Sequence, residues 1–90
     1  MAAINLLSRR EFSRHELYQK LIVRTSSDTY LLELLDQLAE SGYQSDQRFT
    51  ESFLRSRINR GLGQMRIERE LKEKGIDQYL IELCLQGDVD

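Results

Sequence analysis

The chain has no proline and no tryptophan, and only five glycines and one cysteine in 90 residues. Without proline no helix interior is broken, and few glycines leave few stops, so the composition favours an all-helical chain. The lone Cys84 excludes a disulfide framework and any cysteine-based zinc site, and suits a reducing cytoplasm. The single histidine, His15, lacks the partners that a metal site or a nucleophilic triad requires. No apolar run approaches the roughly 20 residues of a membrane span. The opening stretch from Met1 has no apolar segment followed by a small-residue cleavage site, so it does not read as a secretion signal. These absences exclude an enzyme and predict a cytoplasmic monomer with no catalytic residues, no cofactor, no metal and no membrane contact.

What is present is charge, and it is segregated. Thirteen basic and fifteen acidic residues give a net charge of −2. Residues 1–24 sum to +3 and residues 25–47, with no Lys or Arg, to −5. Residues 48–75 sum to +4 and residues 76–90, again without a basic group, to −4. The isoelectric point alone argues against a polyanionic partner, but this alternation reopens the question.

Six short helices follow from the apolar period and its punctuation. The first is expected over residues 2–10, with Ile4 and Leu7 spaced i, i+3. Ser13-Arg14-His15-Glu16 spells a capping box for the second, which carries Leu17, Leu21 and Ile22. Ser27 or Asp28 caps the third, whose Leu31, Leu34, Leu35 and Leu38 form a dense stripe that ends at Gly42. Ser45 and Asp46 open the fourth, where Phe49, Phe53 and Leu54 share a face with Ile58 near it, and Gly61 closes it. Ile67 and Leu71 anchor the fifth, from Gly63 to Gly75. Asp77 caps the sixth, which carries Leu80, Ile81, Leu83 and Cys84 and stops near Gly87. No segment alternates as a half-buried strand must.

The two halves repeat. Ser13, Leu17 and Leu21 fall on Gly63, Ile67 and Leu71 at an offset of fifty, and Asp28 falls on Asp77 at forty-nine, a one-residue gap. In each half two basic helices precede an acidic one. The expected fold is all-α: two tandem three-helix repeats over 1–43 and 44–87, in a right-handed helical array with no sheet. Units of this kind stack to bury their apolar faces, usually in arrays of three or more. The tail 88–90 reads either as a natural end or as the start of a missing third repeat.

The arginine-rich segment is the candidate binding surface. Arg48 and Arg55 are seven apart and share a face, and Arg57 and Arg60 lie near a helix end, where they also complement the dipole. Arg66, Arg69 and Lys72 form a row. A structural reading competes: Glu51 with Arg55, Glu68 with Lys72 and Glu70 with Lys74 are i, i+4 pairs that would support exposed helices. Gly61-Leu62-Gly63 lacks the Gly-Lys-Ser/Thr ending of a phosphate loop and reads as helix stop, turn and helix start. Tyr18, Tyr30, Tyr43 and Tyr79 are scattered, and half-buried packing accounts for them better than base stacking. Glu33, Asp36 and Glu40 read as the wet side of the third helix or as a surface for a basic partner.

Three runs together resemble one known family. Ser45-Asp46-Gln47-Arg48-Phe49, Phe53-Leu54, Arg57, Gly61-Leu62-Gly63, Ile67, Glu70-Leu71 and Lys74-Gly75 resemble the central motif of RecX, a family of bacterial regulators of the RecA recombinase. Upstream, Leu7, Arg10-Glu11, Ser13, Glu16-Leu17 and Lys20-Leu21 resemble its first repeat, with Phe12 where His is frequent. Leu35, Leu38 and Gly42-Tyr43 resemble the link between repeats. The likeness runs from about Ile4 to Leu85. RecX proteins usually carry a third repeat, and this chain ends where that repeat would begin, as a truncated piece or a shortened relative would.

The resemblance implies binding to RecA, to the RecA–single-stranded DNA filament and, non-specifically, to DNA phosphates. It implies suppression of RecA ATPase, strand exchange and coprotease activity, in homologous recombination and the SOS response. Arg48, Arg55, Arg57, Arg60, Arg66, Arg69 and Lys72 would carry the contact. Two rival readings stand beside it: a helix-turn-helix-like module with Arg66 and Arg69 of the fifth helix at base edges, and a helical scaffold without nucleic-acid contact.

Overall fold

Helices of six to fourteen residues are marginal alone, so their caps and their packing must hold them. The computed structural model describes residues 2–87 and contains, among them, six α-helices and no strand. They are α1 (Ala2–Leu7), α2 (Arg14–Ile22), α3 (Asp28–Glu40), α4 (Asp46–Asn59), α5 (Gln64–Glu73) and α6 (Gln78–Gly87). The all-α architecture expected from the composition is therefore observed. The tail 88–90 lies outside the described residues.

The caps follow the sequence closely. Ser13 and Glu16 form the reciprocal capping box of α2, Ser45 accepts from the Arg48 amide at the start of α4, and the Asp77 carboxylate accepts from the Leu80 amide at the start of α6. Ser27, and not Asp28, caps α3, accepting from the Tyr30 amide. This corrects the register of the repeat: the cap pairs Ser13/Gly63 and Ser27/Asp77 are both fifty residues apart, and the one-residue gap disappears. Helix α1 stops at Leu7, not Arg10: Ser8 still makes the helical bond to Ile4, but the Arg9 amide tightens onto the Leu6 carbonyl three back, and the chain leaves to bury Phe12.

Three helices end in the same motif. The pairs Gly42–Tyr43, Gly61–Leu62 and Gly75–Ile76 close α3, α4 and α5: each glycine amide bonds the carbonyl three residues back, and the next amide bonds the carbonyl five back. All three glycines have φ near +80° (82°, 78° and 83°), a region closed to most side chains. The motif favours an apolar residue after the glycine packed on the last turn. Ile76, 3% exposed, is part of the α4–α6 core, and Leu62, partly buried, packs against that core.

Two apolar clusters result. Ala3, Phe12, Leu17, Leu21, Leu31, Leu35 and Leu38 form one, from α1–α3 and the segment before α2. Phe49, Phe53, Leu54, Ile67, Leu71, Ile76, Ile81 and Cys84 form the other, from α4–α6. Burying each such Leu, Ile or Phe side chain contributes about 1.5–3 kcal/mol against chain entropy. Ile58 and Leu83, expected near the core, are instead about half exposed, on the outer sides of α4 and α6.

A polar joint connects the clusters. The Ser13 hydroxyl accepts from the Glu16 amide and donates to the Lys74 carbonyl, 2.8 Å away and 61 positions along the chain. The buried Gln44 donates to the Phe12 carbonyl (3.2 Å) and to Asp46 (2.9 Å), which also accepts from the Arg14 amide (2.8 Å). Gly75 packs on His15 so closely that a Cβ there would lie 2.5 Å from the His15 Cβ. The molecule measures about 40 × 24 × 22 Å.

Candidate nucleic-acid and partner interface

The structure separates the seven expected contact residues into two groups. Arg48 belongs to the joint: its Nε donates to Glu11 (3.0 Å) and its Nη2 to the Gly42 carbonyl (2.6 Å). Arg57 lies over the Phe53 ring at 4.1 Å and donates to Glu70 (3.2 Å). Arg66 donates to the other oxygen of Glu70 (3.0 Å). These three guanidinium groups are each engaged by a partner within the fold, Arg66 through an exposed i, i+4 pair.

Arg55, Arg60, Arg69 and Lys72 are exposed and make no ion pair with a described residue. Arg55 points from the outer side of α4, Arg60 is the C-cap of that helix, and Arg69 and Lys72 lie on α5 opposite its buried Ile67 and Leu71. None of the three expected i, i+4 ion pairs forms. Glu51 accepts from Gln47, Glu68 from Gln64 and Gln78, and Lys74 turns away from Glu70 to reach Glu16 across the joint at 3.3 Å. Glutamines thus take the places expected of Arg55 and Lys72, and Arg57 with Arg66 takes the place expected of Lys74.

The carboxylates record this neutralisation. Hydrogen bonds from Arg66 and then Arg57 hold Glu70 below the usual carboxylate range. Burial pushes Glu16 upward, but hydrogen bonds from Arg10, the Ser13 amide and Lys74, with the charge of Arg10, outweigh it and leave Glu16 lowered. Glu16 therefore sits ionised between two cations. It lines a cleft of about 280 Å³ at the joint, together with Glu11, Arg10, Arg57 and Lys74. That cleft balances most of its own charge.

Sequence reasoning missed a second group. Arg9, Lys20 and Arg24 come from the end of α1 and the end of α2, and the fold brings them around one cleft of about 390 Å³. The only signal was the sum of +3 over residues 1–24, which does not say which cations remain unpaired. Of the four tyrosines expected to be half-buried, one is and three are not. Tyr18 is partly buried and donates to Asp28, which raises its pKa, whereas Tyr30, Tyr43 and Tyr79 are exposed (60%, 53% and 75%). On α3, Asp36 pairs with Arg14 at 2.8 Å while Glu33 and Glu40 face solvent or its edge. Cys84 is buried in the second core, as its position on an apolar stripe predicted.

Among the described residues no three His, Cys, Asp or Glu side chains gather as metal ligands, and no helix is long and apolar enough to cross a membrane.

Comparison with known proteins places this geometry. A family model described as RecX, second three-helix domain, matches residues 45–85. The chain is 44% identical over 86 residues to the Regulatory protein RecX of Chromohalobacter salexigens, covering 96% of this chain and 57% of the relative. It is 44% identical over 85 residues to that of Halorhodospira halophila, covering 94% and 53%. It is 43% identical over 89 residues to that of Legionella pneumophila, covering 99% and 59%. The chain thus spans between half and three fifths of the length of these curated relatives.

Proposed function

The chain belongs to the RecX family, and from that premise we propose that it binds RecA filaments and DNA and negatively modulates RecA ATPase, strand exchange and coprotease activity. The observation that carries the reading is the division of the cations. In the last three helices, side chains that neutralise carboxylates stay on the fold, while Arg55, Arg60, Arg69 and Lys72 remain exposed for phosphates or an acidic protein surface.

In this reading residues 1–43 and 44–87 are the two units, and the chain acts as a monomer in the cytoplasm. The polar joint holds the units at a fixed angle, so their outer faces meet the filament as one rigid piece. Seated in the filament, the chain hinders the protomer rearrangements coupled to ATP turnover, or blocks growth. The DNA contact is to phosphates and independent of base sequence. A helix-turn-helix reading would send Arg66 and Arg69 to base edges; Arg66 is engaged by Glu70 on its own helix, whereas Arg69 is exposed, so that rival rests on Arg69.

The test is the ATPase activity of RecA on single-stranded DNA with the chain added. Inhibition is expected, weaker than from a three-repeat relative. Sequence-specific binding of duplex with no effect on RecA would support the helix-turn-helix rival. Absence of both DNA binding and any effect on RecA would leave the scaffold reading.

A further inference from the structure

Arg9, Lys20 and Arg24 surround their cleft without a single carboxylate among the lining residues. Their side chains are exposed and make no hydrogen bond or ion pair with a described residue. This contrasts with the cations at the joint, where Glu16 lies between Arg10 and Lys74. An anion entering the Arg9 cleft displaces no internal partner. The same Arg24 also borders a neighbouring apolar cleft of about 140 Å³, and Tyr30 lines it. The backbone of Tyr30 is fixed by the Ser27 cap, yet its ring is 60% exposed. One arginine thus joins an uncompensated cationic hollow to an exposed aromatic ring. Those are the two chemistries of a nucleotide unit in a single strand: a phosphate to neutralise and a base face to stack.

We propose that this pair of clefts holds one nucleotide of a single-stranded nucleic acid, with its phosphate on Arg9, Lys20 and Arg24 and its base on Tyr30. A duplex keeps its bases stacked on one another and offers no free face to Tyr30. An acidic peptide would satisfy the cations and leave the ring without a matching partner. The inference deepens the DNA contact proposed above and rests on it. Its site lies in the first three helices, so the two readings fail separately.

The test is fluorescence anisotropy of the whole chain with labelled oligo(dT) of about 12 nucleotides. Tyr30→Ala is expected to weaken binding about tenfold or more, and Tyr30→Phe to restore it. The triple variant Arg9→Gln, Lys20→Gln, Arg24→Gln is expected to flatten the salt dependence by up to about 2 in log–log slope. Poly-glutamate of equal charge is expected to compete poorly. None of these side chains makes a hydrogen bond or ion pair with a described residue, and unchanged far-ultraviolet circular dichroism checks that the variants keep the fold. Wild-type affinity in Tyr30→Ala, an unchanged slope in the triple variant, or equal competition by poly-glutamate overturns the site. If the variants behave as expected while RecA ATPase is unaffected by the chain, the site stands and the regulator reading falls. If RecA is inhibited and no variant alters oligo(dT) binding, the regulator reading stands and the site falls.

Discussion

Helices α2 and α5 occupy equivalent places fifty residues apart, and they differ at both ends. Helix α2 opens on Ser13, whose side chain caps it and also reaches Lys74. Helix α5 opens on Gly63, which has no side chain to cap with. At the other end α2 unwinds through tight turns at Arg24 and Thr25, while α5 stops at Gly75 with Ile76 folded under it. The start of α2 meets both the end of α5 and the start of α4. The repeat therefore supplies the same helices twice and is asymmetric where the copies must dock. The charge pattern, by contrast, is shared: exposed cations without an ion pair to a described residue lie on or beside the second helix of each half, Lys20 and Arg24 with α2 and Arg69 and Lys72 on α5.

The sharpest way to break this asymmetry is at Gly75. Gly75→Ala adds left-handed backbone strain to a collision with the His15 Cβ, 2.5 Å away. The expected loss is about 2–4 kcal/mol in urea unfolding. Gly42→Ala and Gly61→Ala, with the same backbone and open space around them, should lose only about 1–2 kcal/mol. Equal losses at all three would mean that the joint does not pack as described.

A smaller contrast separates two serine caps. Ser13→Ala removes a cap and the bond to Lys74, so about 2 kcal/mol is expected. Ser45→Ala removes a cap whose side chain makes no bond across the joint, and about 1 kcal/mol is expected. The same denaturation series measures both.

A third contrast is acid sensitivity. The folded pKa of Glu16 lies below its ordinary 4.5, so its contribution is fully present above that value and is lost as pH falls through the folded pKa. Between about pH 5 and pH 3 the wild type should lose more stability than Glu16→Gln, which has no such proton to take up. Parallel urea midpoints for the two chains across that window would contradict the assigned role. The smallest effect is expected from Arg66→Gln, which breaks an exposed i, i+4 pair with Glu70 and should cost at most about 0.5 kcal/mol.

Much of the fold could be read residue by residue. Caps such as Ser13, Ser45 and Asp77, and stops such as Gly42 and Gly75, depend on local chemistry that a short stretch of sequence carries in full. Leu17 and Ile67 lie on helical stripes, and periodicity finds them. Ile76 escaped because it lies between helices, although an apolar residue directly after a helix-ending glycine was its signal. The joint was not legible at all. That Ser13 serves Lys74 across 61 positions, or that Gly75 rests on His15, depends on how two units dock. The same holds for the site. Sequence spacing placed Arg57 and Arg66 with Arg55 and Arg69, and only tertiary contacts show that Glu70 takes the first two and leaves the others exposed. The cluster of Arg9, Lys20 and Arg24 is likewise a product of the fold, which brings the segment after α1 and the end of α2 around one cleft.

The central claim is that the cations left over from folding are the ones that act on RecA. It is tested most directly by titrating RecA's ATPase on single-stranded DNA with three chains: wild type, Arg66→Gln, and Arg55→Gln/Arg60→Gln/Arg69→Gln/Lys72→Gln. Inhibition by the first two and loss of inhibition in the third is the predicted result. Equal inhibition by all three would contradict the account.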